Sequence, residues 1–214
     1  MKKIVIIGAG YQAECVIANI LEENSFEIVG LLDHQKTGEL MGFPILGNDD
    51  HLSVLKAKGV EYAFPGAVIG AKADTSVVER VMGTIAAAGF KVPNLISSRA
   101  LVRQGVKLGK GILIQPFAMV DVGCVLGDGI TVNPHVLVGH HCRIEDHVVF
   151  AGGAVLNARL TMGRGAFIGM GAKVFADVGS HSKVAPGAVI LEKVPDNHIA
   201  FGNPARIMPR IKGL

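Results

Sequence analysis

From Ile96 to Val174 a bulky apolar residue recurs at every sixth position, through Val102, Leu108, Ile114, Val120, Leu126 and onward to Phe150, Met162 and Ile168. Four places after each stands a second, generally smaller apolar residue, from Ala100 and Val106 through Cys124, Val136 and Cys142 to Ala172 and Val178. This makes 14 consecutive hexads in which all 28 slots are apolar. A helix repeats at 3.6 residues and a free strand at 2.0, so neither produces this period. A repeat of six is the mark of a parallel β-helix, in which each hexad supplies one flat wall of a prism. Three walls make a coil of 18 residues, and coils stack at the strand spacing of roughly 4.8 Å. Gly109, Gly127, Gly139, Gly163 and Gly169 each follow an inward residue. There the pattern predicts tight corners that need a residue without Cβ. The period slips at one place, after Val174, where the next inward slots are Val178, Val184 and Ile190. A bulge or loop around residues 177–180 is expected.

The first 93 residues follow another rhythm. Lys3 to Ile7 is an apolar strand, Gly8 to Ala13 reads GAGYQA, and Ala13, Val16, Ile17, Ile20 and Leu21 have helical spacing. A second strand runs from Phe26 to Leu32 and ends at Asp33. A helix is expected around Leu52 to Lys58, an apolar segment from Val60 to Ile69, and a further helix from Thr75 to Ala88. Strand, glycine turn, helix, strand is the unit that places a phosphate at a helix N-terminus. The loop alone is a weak signal, and its place between strand and helix strengthens it. A full dinucleotide fold needs a second such half, for which there is no room before the hexads. A mononucleotide half-site therefore fits better than NAD. Three segments are expected: a Rossmann-like α/β half-domain over 1–93, a parallel β-helix over 94–198 and a C-terminal tail over 199–214.

The formal net charge of +3 is too weak to argue for a nucleic-acid partner. No apolar run reaches the ~18 residues of a membrane span. The opening MKKIVII runs into the glycine loop without a cleavage site, so it reads as a core strand rather than a leader. Cys124 and Cys142 stand one coil apart in inward slots, which suits buried free thiols in a cytoplasmic protein better than a disulfide.

Four of the eight histidines, His135, His140, His141 and His147, fall within 13 residues, in outward slots of adjacent hexads. Outward imidazoles are exposed unless another subunit covers them. Imidazole titrates near neutrality and accepts a proton from an amine or hydroxyl. Zinc is a competing reading, because His135 and His140 have a ligand-like offset. A catalytic zinc needs three protein ligands, and no histidine lies between His51 and His135. No metal is expected.

IVIIGAGYQAE, LLDHQ, VNPHVLVGHHC and the terminal GNPAR together resemble the hexapeptide-repeat sugar acetyltransferases that modify sialic acid or the amino group of UDP-linked bacillosamine precursors. The resemblance covers the whole chain. It implies that the β-helix is left-handed, that the protein is a cytoplasmic homotrimer with sites between subunits, and that acetyl-CoA is the co-substrate. It implies N-acetylation of a UDP- or dTDP-linked amino sugar in glycan biosynthesis, with O-acetylation of a free sugar such as sialic acid as the alternative. A non-catalytic trimer that binds nucleotide-sugars is the alternative of another class.

Carried over by position, the family's general base falls on His140, and Asn133 is placed to position the acceptor. The family usually has Asp or Glu after the base, where this chain has His141, counted with the catalytic residues because a neutral imidazole can orient His140, though it supplies no negative charge; Glu145 or Asp146 is the expected substitute acid if one is needed. The resemblance puts the nucleotide-sugar against Gly10, Tyr11, Gln12, Ala13, Asp33 and His34, with the phosphates on the loop amides. It puts coenzyme A near Val149, Gly152, Met170 and Gly187, with Arg206 as a partner for a coenzyme phosphate. It assigns no role to His135 or His147.

Overall fold

The structure is a computed structural model that describes residues 1–66 and 74–210. The chain divides into two compact units, one built from residues 1–70 and 76–95, the other from 71–75 and 96–214.

In the first unit β1 (Lys3–Ile7) lies between β2 (Glu27–Leu32) and β5 (Tyr62–Pro65) in a three-stranded parallel sheet of order β2-β1-β5. A short antiparallel hairpin of β3 (Glu39–Leu40) and β4 (Phe43–Pro44) lies between β2 and α2 in sequence, where the hydropathy pattern shows no strand. Among the described residues three helices complete the unit: α1 (Tyr11–Glu22), α2 (His51–Ala57) and α3 (Ser76–Ala87). Alternation along β1 sends Val5 and Ile7 to one face, where they meet Leu52 and Leu55 of α2 and Ile85 of α3. Along α1 the expected inward residues Ala13, Val16, Ile17 and Ile20 are buried, but Leu21 is 53% exposed and lies off the buried stripe. The end of the apolar segment expected to run to Ile69 lies outside the described residues.

The loop between β1 and α1 is tied down by one side chain. Asp33, just after β2, takes the Ala9 N–H on Oδ2 and the Gln35 and Lys36 N–H groups on Oδ1, at 2.8, 2.8 and 3.0 Å. The Lys36 ammonium in turn donates to the Ala9 carbonyl at 2.7 Å. Burial on its own raises the carboxyl pKa, but the three backbone donors and the Lys36 charge outweigh it and hold Asp33 below its ordinary value.

The second unit is the left-handed parallel β-helix. Two-residue strands stack into three walls. Wall one holds Leu95–Ile96, Leu113–Ile114, Thr131–Val132, Val149–Phe150, Phe167–Ile168 and Lys183–Val184. Wall two holds Leu101–Val102, Met119–Val120, Leu137–Val138, Val155–Leu156, Lys173–Val174 and Val189–Ile190. Wall three holds Lys107–Leu108, Val125–Leu126, Arg143–Ile144 and Thr161–Met162. The second residue of each strand points inward. The predicted inward slots are buried from Ile112 onward, while Ile96, Ala100, Val102, Val106 and Leu108 of the first coil are only partly covered. Cys124 and Cys142 are free and buried, and their thiols donate to the carbonyls of Gly139 and Asn157.

Two sequence expectations need correction. The period contracts twice, not once: Val174 to Val178 and Ile190 to Val194 are both four-residue steps, and Val178 and Val194 continue wall three only as isolated bridges. The glycines that follow inward residues do not have left-handed φ angles. They stand where the next coil comes close: a Cβ on Gly169 would lie 2.5 Å from Pro186 N and 2.6 Å from the carbonyl carbon of Ala185. The left-handed corners lie two residues further on, at Phe117, Gly123, Gly129, His135, His141, His147, Gly153, Arg159, Gly165 and Gly171. Residues 198–209 close wall one with His198–Phe201, parallel to Lys183–Val184, and Arg206–Pro209, antiparallel to it.

Gly169→Ala should force two coils apart and lower stability by about 1–3 kcal/mol, read from urea unfolding. Asp33→Ala should cost about 1–2 kcal/mol. Because the Asp33 carboxyl is depressed on folding, its contribution is complete above the ordinary value of 3.8 and is lost as pH falls through the lowered one. Wild type and variant melting curves should therefore differ at neutral pH and converge in strong acid.

Candidate functional site

Proximity in sequence made the four histidines look like one cluster, and the prism separates three of them. His135, His141 and His147 have φ of 60, 58 and 60° and are successive left-handed corners, so each stands on a different edge of the coil. Histidine is one of the few side chains enriched in that conformation, which accounts for their six-residue spacing without chemistry. His135 is exposed and stacks on Phe117 one coil below, with ring centroids 5.2 Å apart. His147 is only 6% exposed within the single chain, so the expectation that it stays open until a partner covers it is overturned. His135 and His140 lie on different edges, and among the described residues no group of three His, Cys, Asp or Glu is placed to hold a metal ion.

His140 is the member the corner geometry does not explain. It follows the Leu137–Val138 strand of wall two and precedes the corner at His141. Its Nδ1 lies 3.0 Å from His141 Nδ1, and the rings are nearly perpendicular at 87°. One hydrogen fits between the two nitrogens, so the rings hold opposite tautomers. Glu145 and Asp146 are occupied elsewhere. Glu145 accepts the Arg164 N–H, and Asp146 accepts the Asp128 N–H and pairs with the Arg164 guanidinium at 2.9 Å. Neither is available to His140 as the expected substitute acid. Asn133 follows the wall-one strand Thr131–Val132, before the corner at His135, and its amide donates to the Phe150 carbonyl at 2.8 Å, holding the next coil.

Gly152, Met170 and Gly187 share one edge of the prism. The Gly171 N–H donates to the Gly152 carbonyl, and the Gly187 N–H donates to that of Met170. Met170 is 64% exposed there. Val149 lies apart, buried in wall one. Arg206 is exposed on the closing hairpin.

The first unit contains a cavity of about 650 Å³, within the range of ligand pockets. Gly8 to Tyr11, Asp33 to Lys36 and Asp49 line one side, and Val77, Arg80, Val81 and Thr84 of α3 the other. Of the residues expected at the nucleotide, Gly10, Tyr11, Asp33 and His34 reach it. Ala13 is on the buried face of α1 and Gln12 lies outside the lining. No side chain caps the N-terminus of α1 at Gly10, which leaves the positive end of that helix open to an anion. The Ala9 amide, by contrast, is taken by Asp33. His34 pairs with Asp49 at 3.1 Å. Arg80 brings a cation from a helix some 70 positions after the loop; its contribution has no local sequence signal, because only the fold carries α3 across the β1–α1 turn.

Residues 3–72 match the PglD N-terminal domain family. The chain is similar over 97% of its length to perosamine N-acetyltransferase from Caulobacter crescentus, solved with CoA and GDP-perosamine, at 26% identity, 97% coverage of that chain and a TM-score of 0.91. It is equally similar to the acetyltransferase domain of PglB from Neisseria gonorrhoeae, solved with acetyl coenzyme A, at 30% identity, 99% coverage of that chain and a TM-score of 0.89. WeeI from Acinetobacter baumannii has the same fold, at 24% identity and a TM-score of 0.86. No curated protein matches in sequence. Matched over 97% of its length by such relatives, the chain belongs to the hexapeptide-repeat sugar acetyltransferases with a PglD-type N-terminal domain.

Proposed function

We propose that this protein transfers the acetyl group of acetyl-CoA to the amino group of a nucleotide-linked sugar. The observation that carries the reading is likeness over the full length, in both units, to enzymes solved with CoA, with acetyl-CoA and with a nucleotide-linked amino sugar. The cavity beside Gly10 and Arg80 suits the nucleotide diphosphate. It offers an open helix N-terminus and a guanidinium, the donors a diphosphate needs.

His140 is the general base. As the amine nitrogen bonds to the thioester carbonyl, its proton passes to His140 Nε2. As the carbon–sulfur bond then breaks, the same proton leaves with the coenzyme thiol. Backbone N–H groups of the coil are the donors for the oxyanion of the tetrahedral intermediate. Over its later coils the Met170 edge is built largely of glycine, with Gly152, Gly153, Gly171 and Gly187 beside Met170, which suits a thin, extended pantetheine arm running along the stacked coils. Arg206 is the partner for a coenzyme phosphate and Asn133 helps to place the acceptor.

The working form is a cytoplasmic homotrimer. Wall two supports the trimer: its outward residues Leu101, Leu137 and Val155 are exposed at 48, 38 and 38%, an apolar ladder that a second copy would cover. Two free buried thiols support a reducing compartment. The place of the reaction is in glycan biosynthesis, downstream of the step that installs the sugar amine.

The test is thiol release from acetyl-CoA with a panel of GDP-, UDP- and dTDP-linked amino sugars, wild type beside His140→Ala. Turnover with one acceptor is expected, with kcat lowered about 10²–10⁴-fold in the variant. Turnover of free sialic acid in place of every nucleotide-sugar would overturn the reading.

A further inference from the structure

We infer that His141 is a positioning residue: it accepts the Nδ1 hydrogen of His140 and so fixes which nitrogen of the base is free. The inference rests on His140 being the base. A base nitrogen at Nε2 requires the hydrogen of His140 to sit on Nδ1, and that nitrogen points at His141 Nδ1 over 3.0 Å. His141 must then carry its own hydrogen on Nε2.

The ring of His141 is held from two further directions. Its backbone is locked in a left-handed corner, with φ of 58° and its N–H bonded to the Val122 carbonyl. Below it stands Gly123, whose φ is 73°; a Cβ there would come within 2.6 Å of His141 Cδ2 and 2.8 Å of Nε2. The ring therefore rests against a bare α-carbon, and Gly123 is part of the seat. Elsewhere in the prism His181 is seated over Gly165 in the same manner.

A neutral acceptor changes the acid behaviour of the base. A carboxylate at 141 would favour the imidazolium and raise the pKa of His140, so that activity failed sooner as pH fell. An imidazole partner orients the same nitrogen without that charge. The charged groups nearest in sequence position on the neighbouring coils are Arg159 on the corner above, whose N–H donates to the His140 carbonyl, and Asp121 at the corner below. Asp121 caps the Val122 N–H and lies 3.6 Å from Arg103, so its charge is already partnered.

Two measurements on the full-length protein test this. In ring-nitrogen NMR, with signals assigned through His140→Ala and His141→Leu, His140 should carry its hydrogen on Nδ1 and His141 on Nε2. A His140 ring protonated on Nε2 alone at neutral pH would overturn the inference. In kinetics, His141→Leu should lower kcat about 10- to 100-fold with KM for both substrates unchanged. His141→Asn, which tolerates the left-handed corner and offers an amide oxygen, should retain most of the activity. His141→Glu should move the acid limb of the kcat profile up by about one pH unit. Melting temperatures separate these effects from misfolding. A correctly folded His141→Leu with wild-type kcat and an unmoved acid limb would also overturn the inference. Wild type silent toward every acceptor would instead bring down the assignment of His140, and the NMR arm alone would then decide the pairing.

Discussion

Everything in the second unit depends on the stacking of one coil on the next through the backbone. Hydrogen bonds such as Leu137 N–H to Ala154 carbonyl and His141 N–H to Val122 carbonyl fix the separation of the coils at a single strand spacing. At that spacing each of the six positions of a hexad has a different steric allowance. Two must be apolar and one takes a left-handed φ, and at Gly109, Gly127, Gly139, Gly163 and Gly169 the place after the inward residue lies too close to the next coil for a Cβ. Chemistry has to be written in the positions left over. His140 occupies such a position, beside a left-handed corner that turns the neighbouring side chain toward it.

The same constraint explains what could be read from sequence. The inward slots are legible because burial acts on every coil alike, and 14 repeats leave no ambiguity of register. The second contraction was not, because Ile190 and Val194 lie past the uninterrupted run, where apolar residues fit more than one register. Histidines 135, 141 and 147 misled for a subtler reason. Their spacing equals the period, and equal spacing in a prism means different edges, not neighbours. Two residues that touch on one edge are either adjacent, as 140 and 141 are, or about 18 apart, as 123 and 141 are.

In the first unit the loop sequence and Asp33 were legible as a nucleotide half-site, but the division of labour was not. Asp33 spends its oxygens on the Ala9, Gln35 and Lys36 amides and acts as the knot of the loop. The open anion donors are the start of α1 and Arg80, and the latter comes from a helix that no local pattern connects to the glycine turn.

The two contractions and the closing hairpin bear on a hazard common to every stacked solenoid. A prism that ends in a full, flat coil presents three unsatisfied strand edges, each a template for the first coil of another molecule. Here wall three dwindles to isolated bridges over its last two levels, so the final turn no longer matches the cross-section of the first. Wall one is finished by an antiparallel strand, Arg206–Pro209, in place of another parallel one, and its last residue lacks an N–H. A second molecule approaching end-on would find one edge reversed in direction and another nearly absent. The irregularity of the terminal coils thereby works against end-on stacking of one chain on another.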